Sequence, residues 1–156
     1  MVVKVAIDNN IFGYLPEKSE RGDYACLFFK FACINPHIKV IVPLGVSIEL
    51  AKAPKLVRKE AQKYKNCVVW SSNKKILNKA KKINIPKPLL DKGIKKDDLY
   101  IAIESSLLGC QYLITYNRKH LINHRNLIKK EFKGINLSLP ELLMPNEFLK
   151  LFYIPK

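Results

Sequence analysis

The chain carries 13 Asp and Glu against 28 Lys and Arg in 156 residues, a formal net charge of +15, so the position of each carboxylate is informative. Asp8 directly follows the apolar run Val2 to Ile7. A carboxylate at the end of a buried strand loses its hydration unless a cation or several donors meet it, which marks it for chemistry. Its other available role is to cap a short helix begun by Asn9 and Asn10. Glu49 shares a helical face with Gly45, Val46 and Ala53, which are small or apolar, although Lys52 three residues on leaves a solvated role open. Asp98 shares its face with Ala102, Ser105 and Gly109 in a helix that is otherwise largely apolar, and adjacent Asp97 is able to take the capping role and leave Asp98 free. Asn117 follows the run Tyr112 to Thr115 as Asp8 follows the first run, and brings an amide oxygen in place of a charge.

Three carboxylates with amide and hydroxyl oxygens form a hard-oxygen donor set, which suits Mg2+ or Mn2+ and suits zinc poorly. Acids gathered inside a protein of this charge repel one another, and a bound divalent cation is the expected compensation. A basic surface around an acidic metal cleft is the division of labour of a nuclease. Lys and Arg hold the phosphate backbone, while the metal activates a water and neutralises charge on the in-line transition state.

Positioning these groups falls to alternating apolar runs and helical stretches. Val2 to Ile7 reads as a buried strand, Asn9 to Leu15 as a short helix, Pro16 to Asp23 as turn, and Tyr24 to Ile34 as a buried helix. Ile38 to Val42 reads as a second strand, followed by a helix over Val46 to Ala53 and another opened by Pro54. Val68 to Trp70 is strand-like, Ser72 caps a basic helix running to about Ile83, and Pro86 and Pro88 break the chain. Asp97 or Asp98 caps a helix ending at Gly109, where positive φ is expected, and Tyr112 to Thr115 is a further strand. The tail offers a helix near Asn126 to Phe132, a strand near Ile135 to Leu137 and a last helix after Pro145. Such alternation implies one α/β domain over residues 1–156, a mostly parallel sheet covered on both faces. Ligands in such sheets sit beyond the carboxyl ends of the strands, where the singled-out residues fall.

With 48% hydrophobic residues, the chain can bury a sizeable core. Its longest apolar stretches, such as Cys26-Leu-Phe-Phe29 and Val40-Ile-Val-Pro-Leu44, fall far short of the ~20 residues of a membrane span. Asp8 interrupts the amino-terminal apolar run before a signal-peptide core forms, so a cytoplasmic protein that does not engage a membrane is expected. Cys26, Cys33, Cys67 and Cys110 form no C-x-x-C pair, and with His37, His120 and His124 they complete no zinc spacing, so buried reduced thiols are expected. The positive charge favours a polyanionic partner, nucleic acid before an anionic membrane surface, with a Lys-rich solvated surface as the alternative. Neither G-x-x-x-x-G-K-[ST] nor G-x-G-x-x-G occurs, which argues against a generic nucleotide-binding protein.

In order and spacing, Ile7-Asp8-Asn9-Asn10, Ser47-Ile-Glu49-Leu50, Asp98-Leu-Tyr-Ile-Ala102 and Leu113-Ile-Thr-Tyr-Asn-Arg-Lys-His-Leu121 resemble the motifs of the PIN-domain family of metal-dependent ribonucleases. The resemblance implies a three-layer sandwich whose mostly parallel sheet has about four to five strands. It implies a metal site of Asp8, Glu49 and Asp98 holding Mg2+ or Mn2+, with Asn117 at the fourth family position, often an Asp, and Asn10 and Thr115 orienting the acids. Asp97 is placed to support Asp98, and a neutral Asn117 favours one tightly held ion over two. Arg118, Lys119 and Arg125 follow the Asn117 position and are expected to bind the RNA backbone, whereas Lys74, Lys75, Lys79, Lys81 and Lys82 are read as a solvated helix face. His120 is read as structural. Many members resembling this chain are VapC-like toxins, which implies RNA as substrate, a small antitoxin protein as partner and a homodimer. The aromatic helix Tyr24 to Ile34 is either core or such an interface. The alternatives are a PIN-like RNA-binding or partner-binding module that cleaves weakly or not at all, and a free-standing RNA-processing nuclease.

Overall fold

The computed structural model describes residues 1–152. Strands β1 (Val3–Ile7), β2 (Ile38–Val42), β3 (Val69–Trp70), β4 (Tyr112–Ile114) and β5 (Glu141–Leu143) form one parallel sheet in the order β3-β2-β1-β4-β5. Helices α1 (Asn9–Tyr14), α2 (Glu20–Ile34), α3 (Leu44–Ala51), α4 (Lys55–Gln62), α5 (Lys74–Lys81), α6 (Lys87–Asp91), α7 (Lys96–Leu107), α8 (Arg125–Lys133) and α9 (Pro145–Phe152) connect and cover the strands, with a 3-10 turn over Ile122–His124 before α8. The α/β sandwich expected from the alternation is the fold observed. No helix among the described residues is long and apolar enough to cross a membrane.

The β1 strand lies at the centre, with Ala6 opposite Ile41 of β2 on one side and Leu113 of β4 on the other. Having both edges paired and both faces covered, its Val5, Ala6 and Ile7 are wholly buried. From β1 the chain winds outward through β2 and β3, then returns to the opposite side for β4 and β5. The order therefore reverses between β1 and β4, and the crevice at the carboxyl ends of these two strands is the place such sheets reserve for a ligand. Phe12, Phe28, Phe29, Phe132 and Phe148 fill the core, so α2 turns its aromatic side inward, while Leu27 and Ile34 remain exposed.

Several local expectations are corrected. Helix α2 starts at Glu20, not Tyr24, because the Ser19 hydroxyl accepts the Gly22 N–H at 3.1 Å and caps it. Helix α5 is capped by Asn73, whose Oδ1 accepts the Ile76 N–H, and not by Ser72. Helix α7 begins at Lys96 after an uncapped Lys95, so neither Asp97 nor Asp98 is its cap; both lie in its first turn, where the helix dipole favours them. Pro86 does not simply break the chain but opens α6, with Pro88 in its first turn. No strand forms over Ile135–Leu137: Asn136 takes φ of 60° and the Leu137 N–H returns to the Phe132 carbonyl, ending α8, so the fifth strand comes later at Glu141–Leu143. Gly109 has the expected positive φ, 80°. All four cysteines are free thiols, yet only Cys110 is buried and Cys67 is exposed.

Gly22 lies against the preceding turn so closely that an added Cβ would meet the carbonyl oxygens of Glu17 and Tyr14, the latter at 2.8 Å. Gly22→Ala is expected to destabilise the fold by about 1–3 kcal/mol, read as a lower urea midpoint at unchanged slope; an unchanged midpoint would show that the turn yields freely.

Candidate functional site

Asp8 follows β1 directly and is the N-cap of α1, the structural role open to it from sequence. Its Oδ1 accepts the Asn9 N–H at 2.7 Å, and its Oδ2 accepts the Thr115 hydroxyl at 2.8 Å and the Asn10 amide at 3.2 Å. Asn10 also donates to Thr115 Oγ1 at 3.2 Å, while its Oδ1 accepts the Tyr116 N–H at 2.9 Å. The crevice between β1 and β4 is thus bridged by side chains from both strand ends, with Asp8 only 5% exposed at its base. The Asn9 Oδ1 beside it is buried with no hydrogen-bond partner.

Glu49 lies on α3 and Asp98 in the first turn of α7. Loss of hydration pushes the Asp8 carboxyl from its ordinary 3.8 to about 6; the bonds from Thr115, Asn9 and Asn10 oppose the rise and the Asp98 charge adds to it. Glu49 is pushed up to about 7 by partial desolvation and then by the charges of Asp8, Asp98 and Asp97. The Asp98 charge therefore acts on both other acids, whereas that of exposed Asp97 acts on Glu49. None of the four forms an ion pair with Lys, Arg or His among the described residues. Their all-oxygen donor set suits a hard divalent cation, and the mutual repulsion is what such a cation relieves. Among the described residues, however, no group of three or more His, Cys, Asp or Glu is already arranged to hold a metal ion. The acids share a field but not a closed cage.

The remaining predicted residues divide. Asn117 lies beside Asp8's network, and its N–H donates to Thr115 Oγ1 at 3.0 Å, but its amide oxygen accepts the His120 N–H at 3.1 Å and holds the turn after β4. Arg118 and Lys119 are exposed on that turn. Arg125 is directed elsewhere: its guanidinium donates to both carboxylate oxygens of Glu147 at 3.1 Å and to the Leu142 carbonyl at 3.2 Å.

Sequence reasoning missed Glu104. It is fully buried on α7, and its Oε2 and Oε1 accept the Leu44 and Gly45 N–H groups at 2.7 and 3.1 Å. These are the first amides of α3, whose own N-cap, Pro43, offers no side-chain bond. One carboxylate thereby ties the helix of Glu49 to the helix of Asp98. Gly45 suits the contact, since a Cβ there would lie 3.0 Å from Glu104 Oε1. The available signal was a charge standing alone in Leu99-Tyr-Ile-Ala-Ile-Glu-Ser-Ser-Leu-Leu108. A cavity of about 260 Å³ opens here, lined in part by Glu49, Lys52, Lys81, Asp97, Tyr100 and Glu104.

Fold and site together define a parallel α/β domain with acids gathered at the switch point of its sheet. Among solved structures, the chain is similar to one in the crystal structure of VapBC2 from Rickettsia felis bound to a DNA fragment from their promoter. The TM-score is 0.54 at 18% identity, over 91% of this chain and 97% of that one, so the likeness is one of fold. No family model matches the chain, and no curated protein does.

The raised proton affinity of Asp8 stabilises the fold below about pH 4, and this contribution is lost as pH rises through about 6. At about 1.4 kcal/mol per pH unit, the metal-free protein should lose about 2 kcal/mol relative to Asp8→Asn between pH 4 and pH 7, measured by urea denaturation in EDTA. Parallel pH profiles for the two proteins would contradict the shift. Glu104→Ala should cost about 2–4 kcal/mol by leaving two buried helix amides without an acceptor; a cost under 1 kcal/mol would mean that water replaces it.

Proposed function

We propose that the protein is a PIN-like endoribonuclease that uses Mg2+ or Mn2+ to hydrolyse RNA phosphodiesters, leaving 5′-phosphate and 3′-hydroxyl ends, and that it is the toxin of a toxin-antitoxin pair in the cytoplasm. The observation that carries the reading is the burial of Asp8 at the carboxyl end of the central strand, facing Glu49 and Asp98 with no cationic side chain among the described residues to neutralise them. The fold likeness to a chain of VapBC2 supports a small antitoxin as partner, and a homodimer belongs to the same reading.

In this reading Asp8, Glu49 and Asp98 hold the ion. Bound there, the ion supplies Lewis acidity toward the phosphate and lowers the pKa of a water. Thr115 and Asn10 fix the orientation of Asp8 through hydrogen bonds to Oδ2, while Glu104 sets the approach of α3 to α7. Arg118 and Lys119, exposed beside Asn117, carry the RNA backbone. Arg125, engaged by Glu147, contributes less to that binding.

The second reading, a PIN-like module that binds RNA or a partner and cleaves weakly or not at all, is favoured by one observation. The neutral Asn117 gives its oxygen to the His120 N–H, so the fourth position supplies no charge. Purified protein incubated with total RNA in Mg2+, Mn2+ or EDTA, beside Asp98→Ala, separates the readings. Cleavage by the wild type that EDTA abolishes and Asp98→Ala lowers at least 100-fold is expected. RNA binding without cleavage in either metal would select the module.

A further inference from the structure

We propose that Arg21 and Arg118 form a second phosphate subsite, in which the strand of RNA leaving the acid cluster is held over the carboxyl ends of β4 and β5. The inference rests on the nuclease reading and adds a substrate-binding residue from the other end of the domain's sequence. Arg21 lies near the start of α2, yet its guanidinium donates to the Tyr14 hydroxyl at 2.7 Å and stands over the rings of Tyr14 and Tyr116, 5.3 and 5.6 Å from their centres. The two rings meet edge to face at 5.0 Å, and the Tyr116 hydroxyl donates to the Arg21 carbonyl at 2.8 Å. Side chain and backbone of Arg21 are thus both anchored, and the planar fork is ordered before any ligand arrives.

Arg21 and Arg118 both line a cavity of about 210 Å³, with Tyr24, Tyr116, Met144 and Asn146 completing most of the wall. Glu20 also lines it, but among the described residues neither arginine forms an ion pair. Arg21 spends one of its five N–H donors on Tyr14, leaving the others for an anion, and two arginines lining one small cavity suit the oxygens of a phosphodiester. Position makes that phosphate part of the RNA. Tyr116 and Arg118 flank Asn117 on the turn after β4, Met144 and Asn146 follow β5, and the Tyr116 N–H is held by the Asn10 side chain that also contacts Asp8. Acid cluster and arginine pair therefore occupy one rim of the sheet.

The test uses fluorescence anisotropy with a labelled, mixed-sequence single-stranded RNA in EDTA, from 50 to 200 mM salt, on wild type, Arg21→Ala, Arg21→Lys and Tyr14→Phe. Arg21→Ala is expected to lose about tenfold in affinity and to flatten the slope of log affinity against log salt by about 0.7, the value for one phosphate contact on a single strand. Arg21→Lys should keep the slope but not the affinity, since it retains charge without the fork. Tyr14→Phe, which leaves every charge in place, should weaken binding at constant slope. Unchanged affinity and slope in Arg21→Ala, in a protein that binds and cleaves RNA, would overturn the subsite and leave the nuclease standing. A wild type that neither binds nor cleaves RNA would overturn both.

Discussion

Taking the Asp8 carboxylate out of water at the end of the central strand is the constraint around which the rest of the site is arranged. Such burial is unfavourable in proportion to how poorly the charge is replaced by donors. Here the donors come from both sides of the sheet's switch point: Asn9 and Asn10 from the helix after β1, and Thr115 from the end of β4. They reduce the penalty without abolishing it, because the carboxyl still rises to about 6 and Asp98 adds a like charge. A group stabilised enough to fold but kept short of full compensation retains an affinity for a cation. The neutral network therefore orients the acid, and the neighbouring acids leave it in need of positive charge.

A shared field requires that three elements distant in sequence hold their separation, and here the structure uses a second buried carboxylate. Glu104 is satisfied by two backbone amides, and a nearby Lys81 charge further favours its ionised form against the cost of burial. Its role is mechanical: α3 has no N-cap of its own, and the acceptor it needs is carried by α7. The spacing of Glu49 and Asp98 thus follows from a hydrogen-bonded joint rather than from apolar packing alone, which slides more readily. Gly45 permits the joint to close.

What was legible in the sequence was periodic or local. The β-branched runs, the Gly109 turn and the acid just past the first strand all follow from short-range patterns, and they suffice for the parallel α/β fold, for four of its five strands and for Asp8 at the carboxyl end of β1. The failures have three physical origins. Neighbouring residues with equal capping chemistry, Ser72 and Asn73, are separated only by which one the backbone leaves extended. Contacts across the fold leave no periodic trace: Glu104 beneath α3, Arg125 drawn to Glu147, and the Asn117 oxygen turned to His120 each depend on a partner that composition does not reveal. The apolar Ile135 to Leu137 segment failed for a third reason, since a left-handed Asn136 ends α8 before a strand can begin.

The net charge of +15 acquires its meaning from this separation of signs. Asp8, Glu49 and Asp98 form no ion pair among the described residues, whereas Glu60, Glu141 and Glu147 on other faces pair with Lys or Arg. The Asp98 charge acts on both Asp8 and Glu49, while Arg118 and Lys119 are exposed on the turn after β4. On the nuclease reading, a polyanion drawn toward those basic residues would meet the acids productively only where a bound cation reverses their sign.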